Sequence, residues 1–168
     1  MSDPLVFFFT AFLAFLPISE LRGAIPFAIA NGIPWYIALP YTVILNALVA
    51  PVCWVFLSTL HKLFLPIKWY AGFFNRFVER ARNRLQSGVE KWGWFGIAVF
   101  VAIPLPVTGA WTGTLGAWVL GLRKGRTLLA VILGVICAGI IVTAVVSLGI
   151  QAFEMFVNFK TGGFFMSR

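Results

Sequence analysis

Acidic residues are the scarcest charged type in this chain of 168 residues: five Asp and Glu stand against 13 Lys and Arg, a net charge of +8. There is one histidine, and the two cysteines, Cys53 and Cys137, stand apart inside apolar runs. They read as small buried residues rather than as a disulfide or metal pair. No metal-ligand cluster, Walker loop, Rossmann glycine pattern or nucleophile elbow is present, so no enzyme, cofactor or metal is implied. The positive charge comes without any RNA- or DNA-binding pattern, so nucleic acid is not an expected partner. Charged residues total 11%, less than half of the roughly 25% usual in soluble domains.

Apolar residues fill the space that charge leaves. They make up 61% of the chain, with 18 phenylalanines and 7 tryptophans. A soluble core of this size has no room for that much apolar surface, so lipid must cover the rest. The expected fold class is an all-α integral membrane protein, one membrane domain over 1–168. Leu5 to Leu16 is apolar but lacks a basic flank and a small-residue cleavage site, and Asp3 precedes it, so it is not expected to be a removable signal peptide.

Crossing the hydrocarbon takes about 20 apolar residues in a helix. Tyr36 to Leu60 and Thr127 to Ile150 meet that length. The other two apolar regions are interrupted. Leu5 to Leu16 stops at Pro17, and Glu20, Arg22 and Pro26 follow before Asn31-Gly32. Trp94 to Ile103 stops at Pro104 and Pro106, and a glycine-rich stretch from Thr108 to Leu120 resumes. Each is either a kinked span or a re-entrant hairpin, because proline frees backbone groups that need burial or water at membrane depth.

Basic residues bear on the choice. Lys62, Lys68, Arg76, Arg80, Arg82, Arg84 and Lys91 mark residues 61–91 as cytoplasmic. Re-entrant hairpins bring Arg123, Lys124 and Arg126 to the same side, whereas kinked spans put them outside. The expected architecture is therefore an inverted repeat of two re-entrant helical hairpins, each followed by a transmembrane helix. Repeat 1 covers about 5–60, repeat 2 about 93–150, and 151–168 is a C-terminal tail. The linker, about 62–91, has Trp69, Phe73 and Phe77 on one face and Arg76 and Arg80 opposite, with Arg82 and Arg84 adding charge. It reads as an amphipathic interfacial helix in contact with anionic lipid headgroups.

Glu20 and Arg22 are the candidate centre. Charges at bilayer depth face a cavity, pair with each other, or bind a substrate. On broken backbone after Pro17 both can turn toward one cavity, where a titratable Glu20 suits proton transfer and Arg22 suits an anion or a counter-ion role. A static structural pair is the alternative reading. Ser19 adds a hydroxyl. The second break has no charge; Pro104, Pro106, Thr108, Gly109 and Thr112 offer free carbonyls, hydroxyls and the N-terminal amides of a helix after Pro106, which attract anions. Asn46 and Asn31 are accessory candidates, Asn46 chiefly as an interhelical bond.

The stretch Pro17-Ile18-Ser19-Glu20-Leu21-Arg22-Gly23-Ala24-Ile25-Pro26, with Pro104-Leu105-Pro106-Val107-Thr108-Gly109, resembles the small multi-drug export protein family, which is similar to the DedA/VTT superfamily. That resemblance covers most of the chain. It implies paired re-entrant hairpins and proton-coupled transport, with a polyprenyl phosphate, a phospholipid or a small amphipathic compound as substrate and Glu20 as the acidic residue. The expected location is the cytoplasmic (inner) membrane of a prokaryote, and the expected assembly a homo-oligomer, most simply a dimer. A non-transporting scaffold and a passive channel are the competing readings.

Overall fold

A helix lets a lipid-facing segment satisfy its own amides and carbonyls, and this chain takes that route nearly throughout. The computed structural model describes residues 3–60, 66, 68–105 and 108–165, with no strand among them. In order come α1 (Pro4–Phe15), α2 (Glu20–Ala30), α3 (Trp35–Ser58), α4 (Lys68–Trp92), α5 (Trp94–Ala102), α6 (Ala110–Val119) and α7 (Lys124–Phe165).

Among the described residues, two helices are long and apolar enough to span: α3, with 24 residues, and the Lys124–Ile150 part of α7, with 27. At 1.5 Å per residue they reach about 36 and 40 Å, beyond the roughly 30 Å of hydrocarbon. Ile44, Leu48, Val52 and Val55 line an exposed apolar face of α3, as do Ile136, Ile140, Val145 and Leu148 on α7. Lipid is the solvent that suits such faces. The molecule is a membrane protein.

The interrupted regions break where the prolines stand: α1 ends at Phe15 before Pro17, and α5 ends at Ala102 before Pro104. Pro26 behaves differently. It lies inside α2 rather than flanking it, because losing one backbone donor is tolerated in a helix packed among others.

Val6 and Phe7, near the start of α1, pack on Ala28 and Ile33 at the end of α2 and just beyond it. Helix α2 therefore runs back along α1. Helix α3 then follows α1 in direction: the Tyr41 hydroxyl donates to the Phe7 carbonyl at 3.1 Å, and Asn46 Nδ2 to that of Ala14 at 2.9 Å. Asn46 is the middle of α3, so the α1–α2 connection reaches only half-way along it. In the second half, a β-carbon on Gly113 of α6 would press on Val101 of α5, so this pair also folds back.

Helix α7 runs opposite to α3. Trp35 lies by Ser147 and Ile150 at one end, Leu39 and Val43 meet Gly139, and Asn46 faces Val135 and Ala138. The end of α3 and the start of α7 therefore share one side of the molecule. The exposed Arg123, Lys124 and Arg126 lie there.

Helix α4 turns its apolar face to the rest of the protein. Ala81 and Leu85 are buried, and Leu85 fits where Gly116 of α6 has no side chain. The Gly88 backbone lies where a β-carbon on Gly96 would stand. Phe74 and Val78 join Cys53, Leu57 and Leu115 in a second apolar cluster. The apolar face thus packs on protein, while Arg76, Arg80 and Arg82 are exposed. The side chains of Trp69, Phe73, Phe77 and Arg84 lie outside the described residues, as does Pro106.

Candidate functional site at the meeting of two chain breaks

When a helix stops short, its last carbonyls need donors. At the end of α1 these come from distant elements. The Ala14 carbonyl accepts from Asn46 Nδ2 of α3, and the Phe15 carbonyl accepts from the Trp111 indole Nε1 of α6 at 3.0 Å. The first break is therefore held against the middle of α3 and the head of α6.

At the second break Thr108 supplies the local order. Its Oγ1 accepts from the Leu105 amide at 3.1 Å and lies 2.6 and 2.7 Å from the Ile103 and Leu105 carbonyls, to one of which its proton goes. Gly109 follows at φ 142°, ψ −168°, backbone that glycine alone adopts readily. A β-carbon there would also run into the Glu20 carboxylate.

Helix α6 begins at Ala110, later than a start directly after Pro106. Its first two amides point at the side-chain carboxyl group of Glu20. The Ala110 amide donates to Glu20 Oε2 at 3.2 Å and the Trp111 amide to Oε1 at 3.4 Å. A carboxylate at a helix N-terminus gains from unpaired amides and from the helix dipole. Both bonds are longer than the roughly 2.7–2.9 Å of tight charge-assisted ones, so the carboxylate is held but not locked.

Glu20 pays for this position in backbone conformation. It is the one non-glycine residue at positive φ, 46°, among those described. That region costs a residue with a β-carbon about 1–3 kcal/mol and persists only where the surroundings impose it. Here the Ala110 and Trp111 amides supply the constraint.

Arg22 lies across the same junction. Its Nη2 donates to the Thr108 carbonyl, while its closest approach to Glu20 is 4.0 Å, the outer limit of an ion pair. The first break thus gives an acceptor and a donor, and the second returns amides and a carbonyl. Glu20 and Arg22 are 5% and 22% exposed at the side chain, so the carboxylate is enclosed while the guanidinium keeps an opening.

Between them lies a cavity of about 10 Å³ bordered by Glu20, Arg22, Asn46, Pro104, Gly109 and the Val135–Ala138 wall of α7. That is the smallest volume that admits a water molecule, about 10–15 Å³. Drug-sized ligands occupy about 300–1,000 Å³, so a larger substrate requires the breaks to separate.

The remaining candidates divide. Pro17 is exposed and faces away, and Ser19 packs its hydroxyl against Gly23. Thr112 is buried on α6 but takes no part in the contacts to Glu20 or Arg22. Asn31 is exposed, with Nδ2 on the Phe27 carbonyl at 2.8 Å at the far end of α2, away from the cavity. Sequence reasoning expected helix-start amides at the second break but did not place them at Ala110 and Trp111, since backbone carries no residue signature. Trp111 had one signal: a buried indole N–H needs an acceptor.

The family model described as "Putative small multi-drug export protein" matches residues 20–141, which run from the first residue of α2 through α3 and the second break into the first part of α7. No curated protein and no solved structure gives a significant match.

Proposed function

From the premise that the chain belongs to the small multi-drug export protein family, we propose that it is a proton-coupled secondary transporter with Glu20 as its proton-binding group. The supporting observation is the double exchange at the breaks: Glu20 takes the α6 amides, and Arg22 gives to the Thr108 carbonyl. A carboxylate accepts through two oxygens. A carboxylic acid accepts through one and donates through the other. Protonation therefore changes what joins the two halves, which is how a proton can bias a conformational equilibrium.

On this reading α1–α2 and α5–α6 are re-entrant hairpins entering from opposite faces, in an inverted repeat whose tips meet at the midplane. The opposite directions of α3 and α7 support it. So does the gathering of Arg123, Lys124 and Arg126 on the side where α3 ends, which suits a cytoplasmic face of an inner membrane. The substrate is a phospholipid, a polyprenyl phosphate or a small amphipathic compound. Arg22, with guanidinium donors to spare, contacts its anionic group when the breaks part.

Reconstitution into liposomes tests the mechanism. A fluorescent short-chain phospholipid and a fluorescent cationic amphiphile serve as probes, with and without an imposed pH gradient. Flux of at least one probe should follow the gradient, and Glu20→Gln should lower that component about tenfold or more. Equal flux from Glu20→Gln and wild type in both conditions would overturn the reading.

A further inference from the structure

Asn46 sits at mid-length on α3 with no solvent exposure, and the two ends of its amide meet different fates. Nδ2 donates to the Ala14 carbonyl, which fixes the orientation of the group. Oδ1 is then a buried acceptor with no donor among the described residues. Native proteins seldom leave such an atom uncompensated, because its desolvation cost is not recovered.

Asn46 also borders the central cavity, with Glu20 and Arg22. The space admits one water, and buried waters make two to four hydrogen bonds. Three of its lining residues carry suitable groups: Asn46 and Glu20 acceptors, and Arg22 donors. A bare metal cation fits less well, because hard cations gather six or more oxygens and Arg22 already brings a fixed positive charge.

We propose that the cavity is a binding site for a single water molecule that joins Asn46 Oδ1 to the Glu20 carboxylate and is the last relay for protons reaching Glu20. The relay role rests on the reading of Glu20 as proton carrier. In the relay the water accepts a proton on a lone pair and gives one of its own to a Glu20 oxygen. It is neutral before and after, and Glu20 alone gains a proton. Asn46 is a positioning residue that never ionises. Its loss removes the anchor rather than the carrier.

Infrared difference spectra between high and low pH, taken on the full-length protein in liposomes in heavy water, read both groups at once. The expected result is a Glu20 carboxyl band, identified by its loss in Glu20→Gln, rising together with an O–D band that moves when heavy-oxygen water is supplied. Asn46→Leu should abolish the O–D band and displace the midpoint of the carboxyl titration by about one pH unit. Asn46→Ser, which leaves space and a hydroxyl, should keep both.

If Asn46→Leu does not fold, the wild-type, Asn46→Ser and Glu20→Gln spectra still decide. A carboxyl titration without an isotope-sensitive O–D band overturns the proposal, as does a carboxyl band that changes when sodium is replaced by choline. The transport reading is separable. An O–D band without pH-driven flux keeps the water site and removes its relay role, whereas pH-driven flux without the band removes the water site alone.

Discussion

Gly109 leaves the space that the Glu20 carboxyl group fills. Alanine there must adopt a backbone suited to glycine, at about 1–3 kcal/mol, and its methyl group would displace the Glu20 carboxylate. Gly109→Ala should lower thermal stability in detergent and abolish pH-driven flux, whereas Gly121→Ala, at φ 72° but with nothing near its β-carbon, should cost stability alone. Equal flux losses from both would mean that contact with Glu20 is not what matters. Glu20 and Arg22 were legible in the sequence because charge at bilayer depth demands a reason. So was the kind of partner, helix-start amides and free carbonyls at the second break, but not which residues supply them. Ala110 and Trp111 act through amides, which every residue but proline carries, so only the fold singles them out.

Among the helices, the breaks before Pro17 and Pro104 were legible because each proline follows an apolar run too short to span. Pro26, by contrast, lies inside α2: proline ends a helix only where packing does not carry it through. The linker shows a different limit. The four-residue step of Trp69, Phe73 and Phe77 runs on to Ala81 and Leu85, but a period cannot tell lipid from protein as the thing that face meets. Gly96 and Gly116, on the helices it packs against, decide the matter. Leu85→Ala should therefore cost about 2–5 kcal/mol, read as a lower unfolding midpoint in detergent. A helix resting on lipid would lose far less. Arg80→Ala, on the exposed face, should leave that midpoint unchanged and weaken binding to anionic vesicles at low salt.

For the molecule as a whole, topology is the first quantity to measure. Two opposed hairpins put Asp3 and Asn31 on one side of the membrane and Gly121 on the other, whereas kinked spans separate Asp3 from Asn31. Single cysteines at these positions, with Cys53 and Cys137 replaced, should react with an impermeant thiol reagent accordingly. Assembly is the second. Pro17 is exposed and Ile18 is 95% exposed, yet they form irregular backbone beside mid-α3, a depth at which lipid cannot satisfy free amides and carbonyls. A second copy of the chain would cover them. The mass in mild detergent should be that of a dimer, and Ile18→Asp should shift it toward monomer. A monomeric wild type would refute this.

The donors that complete the first break carry a consequence for biosynthesis. Trp111, which serves the Phe15 carbonyl, and Ala110, which serves Glu20, follow Glu20 in the chain by about 90 residues. At roughly 5–20 residues per second on the ribosome, that interval lasts about 5–20 s. Throughout it the nascent amino-terminal half has an uncapped carbonyl and a carboxylate with no amides to receive it. It therefore has to wait in the insertion machinery or near the headgroups. Its final depth is reached only when the carboxy-terminal half arrives, so the two halves mature together and neither is a finished intermediate alone.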